Sequence, residues 1–136
     1  MYISQKVYDE IVFTIGNAPI ESGGIIGEKD GVICEYFFDK KAKQNQEKYV
    51  PSLNLLNKII ERWHENGINF IGIVHSHPNN YKRPSLNDEK YAQKLMKCNP
   101  HLSRLIFPIV TVSSDNIEIV FFEFTEKFTR VNISVL

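Results

Sequence analysis

Apolar and polar positions in this chain follow two periods, and the switches between them mark out its elements. Residues 4–16 repeat at helical spacing, with Val7, Ile11, Val12 and Ile15 on one stripe. Gly16-Asn17 ends that helix, and Ala18-Pro19 opens an extended segment. Glu21 to Gly27 reads as a short strand with an irregular start at Gly23-Gly24. Asp30-Gly31 is a hairpin signal, and Val32 to Phe38 is the return strand. The polar run Asp39 to Lys48 predicts an exposed loop.

Ser52 can cap a second helix running to about Glu65, with Leu55, Leu56, Ile59, Ile60 and Trp63 inward and Asn66-Gly67 as its stop. Phe70 to His77 is a strand. Pro84-Ser85 starts a third helix that turns Tyr91, Ala92, Leu95 and Met96 inward and ends at Asn99-Pro100. Leu105 to Val112, Ile117 to Phe124 and Thr129 to Val135 are further strands, the first two joined by a turn at Ser114-Asp115-Asn116. Helices and strands interleave around one sheet, so the class is α/β or α+β.

The 136 residues suit a single domain, 1–136, and 43% hydrophobic residues can fill its core without disulfides. Sixteen basic and sixteen acidic residues cancel, which argues against binding nucleic acid through a broad positive field. Cys34 and Cys98 form no CxxC pair, so a cysteine-based zinc site is excluded and a reducing compartment fits. The start, Met1-Tyr2-Ile3-Ser4-Gln5-Lys6, lacks the apolar core of a secretory leader, and no apolar run is long enough to span a bilayer. The expectation is a cytoplasmic protein that engages neither membrane nor nucleic acid.

The chemistry lies in His75-Ser76-His77-Pro78 and Pro84-Ser85-Leu86-Asn87-Asp88. Side chains alternate along a strand, so Ile71, Ile73, His75 and His77 share a face and the two imidazoles point the same way. Pro78 places them at a strand end, where sites on such sheets gather. Asp88, in the first turn of the third helix, can return over the loop Asn79–Arg83 to complete a triad. Two imidazoles and a carboxylate suit zinc and leave its fourth tetrahedral position open, the arrangement of a catalytic rather than a structural site. Such a site needs a base, for which Glu21 is the candidate, and an oxyanion donor, for which Ser85 is the candidate. Each piece has a plainer reading. The histidines could face solvent on an edge strand, Ser85 and Asp88 form a Ser-x-x-Asp helix cap, and Glu21 could be a surface residue. Lys82 and Arg83 flank the expected cleft and could meet an acidic partner, whereas Lys40, Lys41 and Lys43 read as solvated charges.

Taken together, Glu21-Ser22-Gly23-Gly24-Ile25-Ile26-Gly27, His75-Ser76-His77-Pro78 and Pro84-Ser85-Leu86-Asn87-Asp88 resemble the JAMM motif of the JAB/MPN+ metalloprotease family. That motif is a glutamate, then His-x-His-Pro, then Ser-x-x-Asp with ten residues between the second histidine and the aspartate, here Pro78 to Asn87. The order of elements agrees from roughly Ile3 to Phe124. The resemblance implies a cytidine-deaminase-like fold, a three-layer α/β arrangement with a mixed central sheet flanked by about three helices. It implies a zinc peptidase that cleaves a peptide or isopeptide bond after the Gly-Gly tail of a ubiquitin-like or sulfur-carrier protein. By match, His75, His77 and Asp88 are the zinc ligands, Glu21 the general acid/base and Ser85 the oxyanion donor. The extended tail is expected along a sheet edge near the site. The chain is similar to the compact prokaryotic branch, although Ser22 and Gly23 stand where relatives often carry a cysteine. Two alternatives belong to other classes: a non-catalytic scaffold of the MPN type, and a DNA-repair relative, which the neutral charge disfavours.

Overall fold

The computed structural model describes residues 1–18, 21–40, 49, 51–77, 80–113 and 116–136. Eight strands form one sheet: β1 (Tyr2–Ile3), β2 (Gly23–Lys29), β3 (Val32–Phe38), β4 (Asn69–His77), β5 (Leu105–Ser113), β6 (Asn116–Phe124), β7 (Phe128–Arg130) and β8 (Ser134–Val135). Among the described residues three helices accompany it: α1 (Gln5–Thr14), extended by a 3-10 turn at Ile15–Asn17, α2 (Leu53–Glu65) and α3 (Leu86–Cys98). The strand order is β7-β6-β5-β4-β2-β3-β1-β8. The sheet is mixed: β4 and β5 run parallel, as do β1 with β3 and with β8, and the remaining pairs are antiparallel.

The helices sort to opposite faces because each has one apolar stripe to bury. Val7, Ile11 and Ile15 of the first helical segment pack on Ile26, Ile33, Val74, Ile106 and Val110. On the other face Leu56 and Trp63 of α2 and Ala92 of α3 pack on Ile25, Ile73, Phe107 and Phe122, with Tyr91, Leu95 and Met96 closing over them. The result is the α/β arrangement expected, a mixed sheet between helical layers.

Several details depart from the sequence reading. The expected strand Thr129–Val135 divides into β7 and β8, which lie on opposite edges of the sheet. Laid flat, eight strands span about 34 Å at the usual spacing. Arg130 and Ser134 are joined by only three residues, which reach at most about 14 Å. The sheet must therefore curl until its edges approach, and Val131 and Ile133 bridge them over the α1-side core. β1 was not expected, since two residues carry no period. Ile71 does not share a face with Ile73. β2 and β4 slip register so that Ile26 pairs with Gly72 and Gly27 with Phe70, leaving Ile71 as the extra residue of a bulge. It turns into the α1-side core, away from the face of Ile73 and the histidines. Gly72 is where β4 comes closest to β5: a Cβ there would lie 1.7 Å from the Ile106 carbonyl oxygen.

Asp39, expected in an exposed loop, is 2% exposed. Its Oδ2 accepts from the Tyr49 hydroxyl at 2.9 Å and from the Ser52 amide at 2.8 Å. Burial forces a carboxylate to find donors, and these two tie the start of α2 to the end of β3. Lys41, Lys43 and the rest of 41–48 lie outside the described residues, as do Pro78, Asn79, Ser114 and Asp115. No helix among the described residues is long and apolar enough to cross a membrane.

Candidate metal centre

β4 carries His75 and His77 at its C-terminal end, on the face covered by α2 and α3. Both are buried, and Phe107 meets the His75 ring edge-on at a centroid distance of 5.0 Å. The two Nε2 atoms lie 2.8 Å apart. Asp88 reaches them from the first turn of α3, its Oδ1 3.1 Å from His75 Nε2 and its Oδ2 2.9 Å from His77 Nε2. Ser85 places that aspartate: its hydroxyl accepts from the Asp88 amide at 3.1 Å, while Asp88 Oδ2 accepts from the Ser85 amide at 2.8 Å. This reciprocal capping box pins the first turn of α3 with the carboxylate facing β4.

Glu21 stands two residues before β2. One donor atom from each of Glu21, His75 and His77 lies within 4.8 Å of the other two. The β2–β4 register pairs Gly23 with His75; continued by two residues, it sets Glu21 opposite His77. Glu21 Oε2 is buried and has no hydrogen-bond partner among the described residues. Burial raises the Glu21 carboxyl to about 7, the nearby His77 opposing and Asp88 reinforcing the shift. The structure thus brings together all five residues singled out in the sequence: Glu21, His75, His77, Ser85 and Asp88.

These donors fit a zinc ion. Tetrahedral zinc with nitrogen donors at 2.0–2.1 Å sets neighbouring donors about 3.3 Å apart. The His75, His77 and Asp88 atoms need to open by only a few tenths of an ångström. The tautomer is also right: His77 Nδ1 lies 3.1 Å from the Tyr81 carbonyl oxygen, which can only accept. Nδ1 therefore carries the proton and Nε2 offers its lone pair. Burial lowers the His75 imidazole pKa, which keeps that ring neutral. For His77 burial also acts downward, but its contacts with the Asp88 carboxylate outweigh it and the net shift is upward.

Two tyrosines flank the histidines. The Tyr81 ring stacks on His77 at a centroid distance of 5.6 Å and is 50% exposed. The Tyr49 ring packs on Gly23, the partner of His75, so closely that a Cβ on Gly23 would come within 2.5 Å of it. Lys82 and Arg83 are both exposed, and Lys82 Nζ makes a surface ion pair with Glu118 Oε2 at 2.7 Å. β4 lies between β2 and β5 in the sheet, and β2 pairs with it only as far as His75. The sequence reading also missed the Tyr81 carbonyl and the Ser76 hydroxyl. A carbonyl carries no residue-type signal, and Ser76 appeared only as the spacer between two histidines.

The sequence matches the family described as prokaryotic homologs of the JAB domain over residues 5–124. A search of curated proteins finds no match. Among solved structures, the fold is similar to that of a protein from Desulfitobacterium hafniense studied in solution, with a TM-score of 0.78 and 19% identity over 100% of this chain and 93% of that one. It is also similar to a JAB1/MPN domain protein from Archaeoglobus fulgidus, with a TM-score of 0.58 and 19% identity over 100% of this chain and 99% of the other. A third structure, described as JAMM, a metalloprotease-like zinc site in the proteasome and signalosome, gives a TM-score of 0.57 and 18% identity over 100% and 97% of the two chains.

Proposed function

Because the chain belongs to the family of prokaryotic homologs of the JAB domain, we propose that it is a zinc-dependent metallopeptidase. Its substrate in this reading is a peptide or isopeptide bond that follows the Gly-Gly tail of a ubiquitin-like or sulfur-carrier protein. The observation that carries the reading is the convergence of His75 Nε2, His77 Nε2 and the Asp88 carboxylate, with the unpartnered Glu21 Oε2 in the same space.

A zinc ion held by His75, His77 and Asp88 would supply Lewis-acid polarisation of a carbonyl and a nucleophile at neutral pH. The chain's own groups do the rest. Glu21, raised to about 7, can hold or release a proton near neutrality, which suits a group that takes a proton from water and returns it to a leaving amine. The Ser85 hydroxyl accepts from the Asp88 amide, so its own proton is free to donate to an oxyanion. Tyr81 and Tyr49 stand on the His77 and His75 sides of the site.

The test is cleavage of a panel of ubiquitin-like fusions ending in Gly-Gly by zinc-loaded protein. The wild type should cut at least one, whereas Glu21→Gln should bind zinc within a few-fold and cut at least about 100-fold more slowly. Cleavage by E21Q at the wild-type rate would remove Glu21 from the mechanism. Failure of the wild type both to bind zinc and to cut any fusion would leave the scaffold role instead.

A further inference from the structure

The contact between Ser22 and Ser76, one residue from Glu21, departs from a regular ladder. The β2–β4 ladder pairs Gly23 with His75, and one step further Ser22 faces Ser76. There the pattern changes. The Ser76 amide donates to the Ser22 carbonyl at 3.0 Å, as a ladder requires. In a regular antiparallel pair the Ser22 amide would return the bond to the Ser76 carbonyl. Instead it donates to the Ser76 Oγ, also at 3.0 Å. The side chain replaces its own backbone as acceptor, and β2 begins only at Gly23.

The substitution falls one residue before Glu21, whose register position is opposite His77. Had the ladder continued, Glu21 and His77 would form a close cross-strand pair with Cβ atoms about 5 Å apart. Here Ser22 keeps one backbone bond to Ser76 and the other goes to the hydroxyl, and the regular ladder ends. The Glu21 carboxylate lies within 4.8 Å of the histidine nitrogens. That places it within reach of a water or a scissile carbonyl that would bind beside the histidines.

We infer that the Ser76 hydroxyl is a positioning residue for Glu21, holding the Ser22 amide and thereby the distance between the Glu21 carboxylate and the histidine pair. Ser76 alternates with His75 and His77 along β4, so its side chain lies on the opposite face of the sheet, and it is buried. It touches neither ligand nor substrate and acts only through the Ser22 backbone. The inference builds on the proposed peptidase reading, but its geometric part stands apart from any substrate.

The experiment compares wild type, Ser76→Ala and Ser76→Thr, the last retaining the hydroxyl. Three quantities are read: amide hydrogen exchange at Ser22 relative to Gly24, the carbon-13 resonance of the Glu21 carboxyl as zinc is added, and steady-state cleavage of a Gly-Gly fusion. S76A should speed Ser22 exchange at least 10-fold and abolish the zinc-induced shift of the Glu21 resonance, with zinc affinity within about 3-fold of wild type. It should lower kcat about 10- to 100-fold at unchanged KM, and S76T should restore all three readouts. Wild-type exchange at Ser22 in S76A, or an unchanged Glu21 response to zinc, would overturn the inference. If the wild type cuts no fusion, the peptidase reading fails alone, and the two spectroscopic readouts still decide the role of Ser76.

Discussion

His77 and Asp88 meet at 2.9 Å, Nε2 to Oδ2, with the same Oδ2 accepting the Ser85 amide at 2.8 Å. One carboxylate therefore faces both histidine nitrogens and forms half of a helix cap. Burial acts to raise its pKa, but the contacts with His75, His77 and the Ser85 amide outweigh burial and hold Asp88 well below the usual carboxylate range.

The two duties separate by substitution. Asp88→Ala removes the ligand and breaks the capping box, so it should weaken zinc binding at least about 100-fold and cost about 1–2 kcal/mol of metal-free stability. Asp88→Asn keeps an acceptor for the Ser85 amide. It should lose zinc comparably but less than half of that stability. Zinc titration and urea unfolding of both variants check this.

The ionisation of Glu21 makes a separate prediction. Its folded value, about 7, lies above the ordinary 4.5, so its contribution is fully present below pH 4.5 and is lost as pH rises through 7. Glu21→Gln escapes that loss. In zinc-free protein the variant should match wild type near pH 4 and exceed it at pH 8 by about 1 kcal/mol, allowing for solvent screening of a partly exposed residue. Chemical denaturation at the two pH values measures the difference; equal stability at both would show that the carboxylate is not desolvated.

Zinc should stabilise the folded chain by mass action. At a free concentration of 100 times Kd the gain is about 2.7 kcal/mol, or roughly 8–10 °C in Tm for a chain of this size. His77→Ala should abolish the shift and a chelator should reverse it in wild type. Thermal melts with and without zinc provide the measurement.

The β4–β5 contact yields a prediction about the fold. Gly72→Ala would drive a methyl into the Ile106 carbonyl, part the two central strands and cost more than about 3 kcal/mol. Gly31→Ala, at a φ of +81° but with nothing within 4 Å, should cost only about 1 kcal/mol. Urea midpoints of the two variants give the contrast.

The parts of the site that were legible in the sequence are those carried by residue type and spacing. The ten residues between His77 and Asp88 are long enough for a loop to return the first turn of α3 to the end of β4, and Ser85 announces that turn. Glu21 could be placed because glycines follow it. The bulge at Ile71 was not legible, since β-bulges arise from pairing between strands and Phe70-Ile71-Gly72-Ile73 has no local sign of one. Nor was the division of 129–135, because a run of mixed apolar and polar residues does not reveal that its two halves pair with different strands. The Tyr81 carbonyl is a backbone group, and the bond from the Ser22 amide to the Ser76 hydroxyl joins distant parts of the chain, so both depend on tertiary placement.

The bridge from β7 to β8 has a kinetic consequence. Phe128–Arg130 can pair only once β6 is in place, and Ser134–Val135 only once β1 is. The β6–β7 pairing is local, but β1 and β8 lie at the two ends of the chain, so their pairing closes the longest loop in the fold and is expected after the folding barrier. Interactions made there leave the folding rate nearly untouched and slow the reverse step. Residues 134–136 are thus expected to act as a clasp: they do little to assemble the sheet and much to delay its opening.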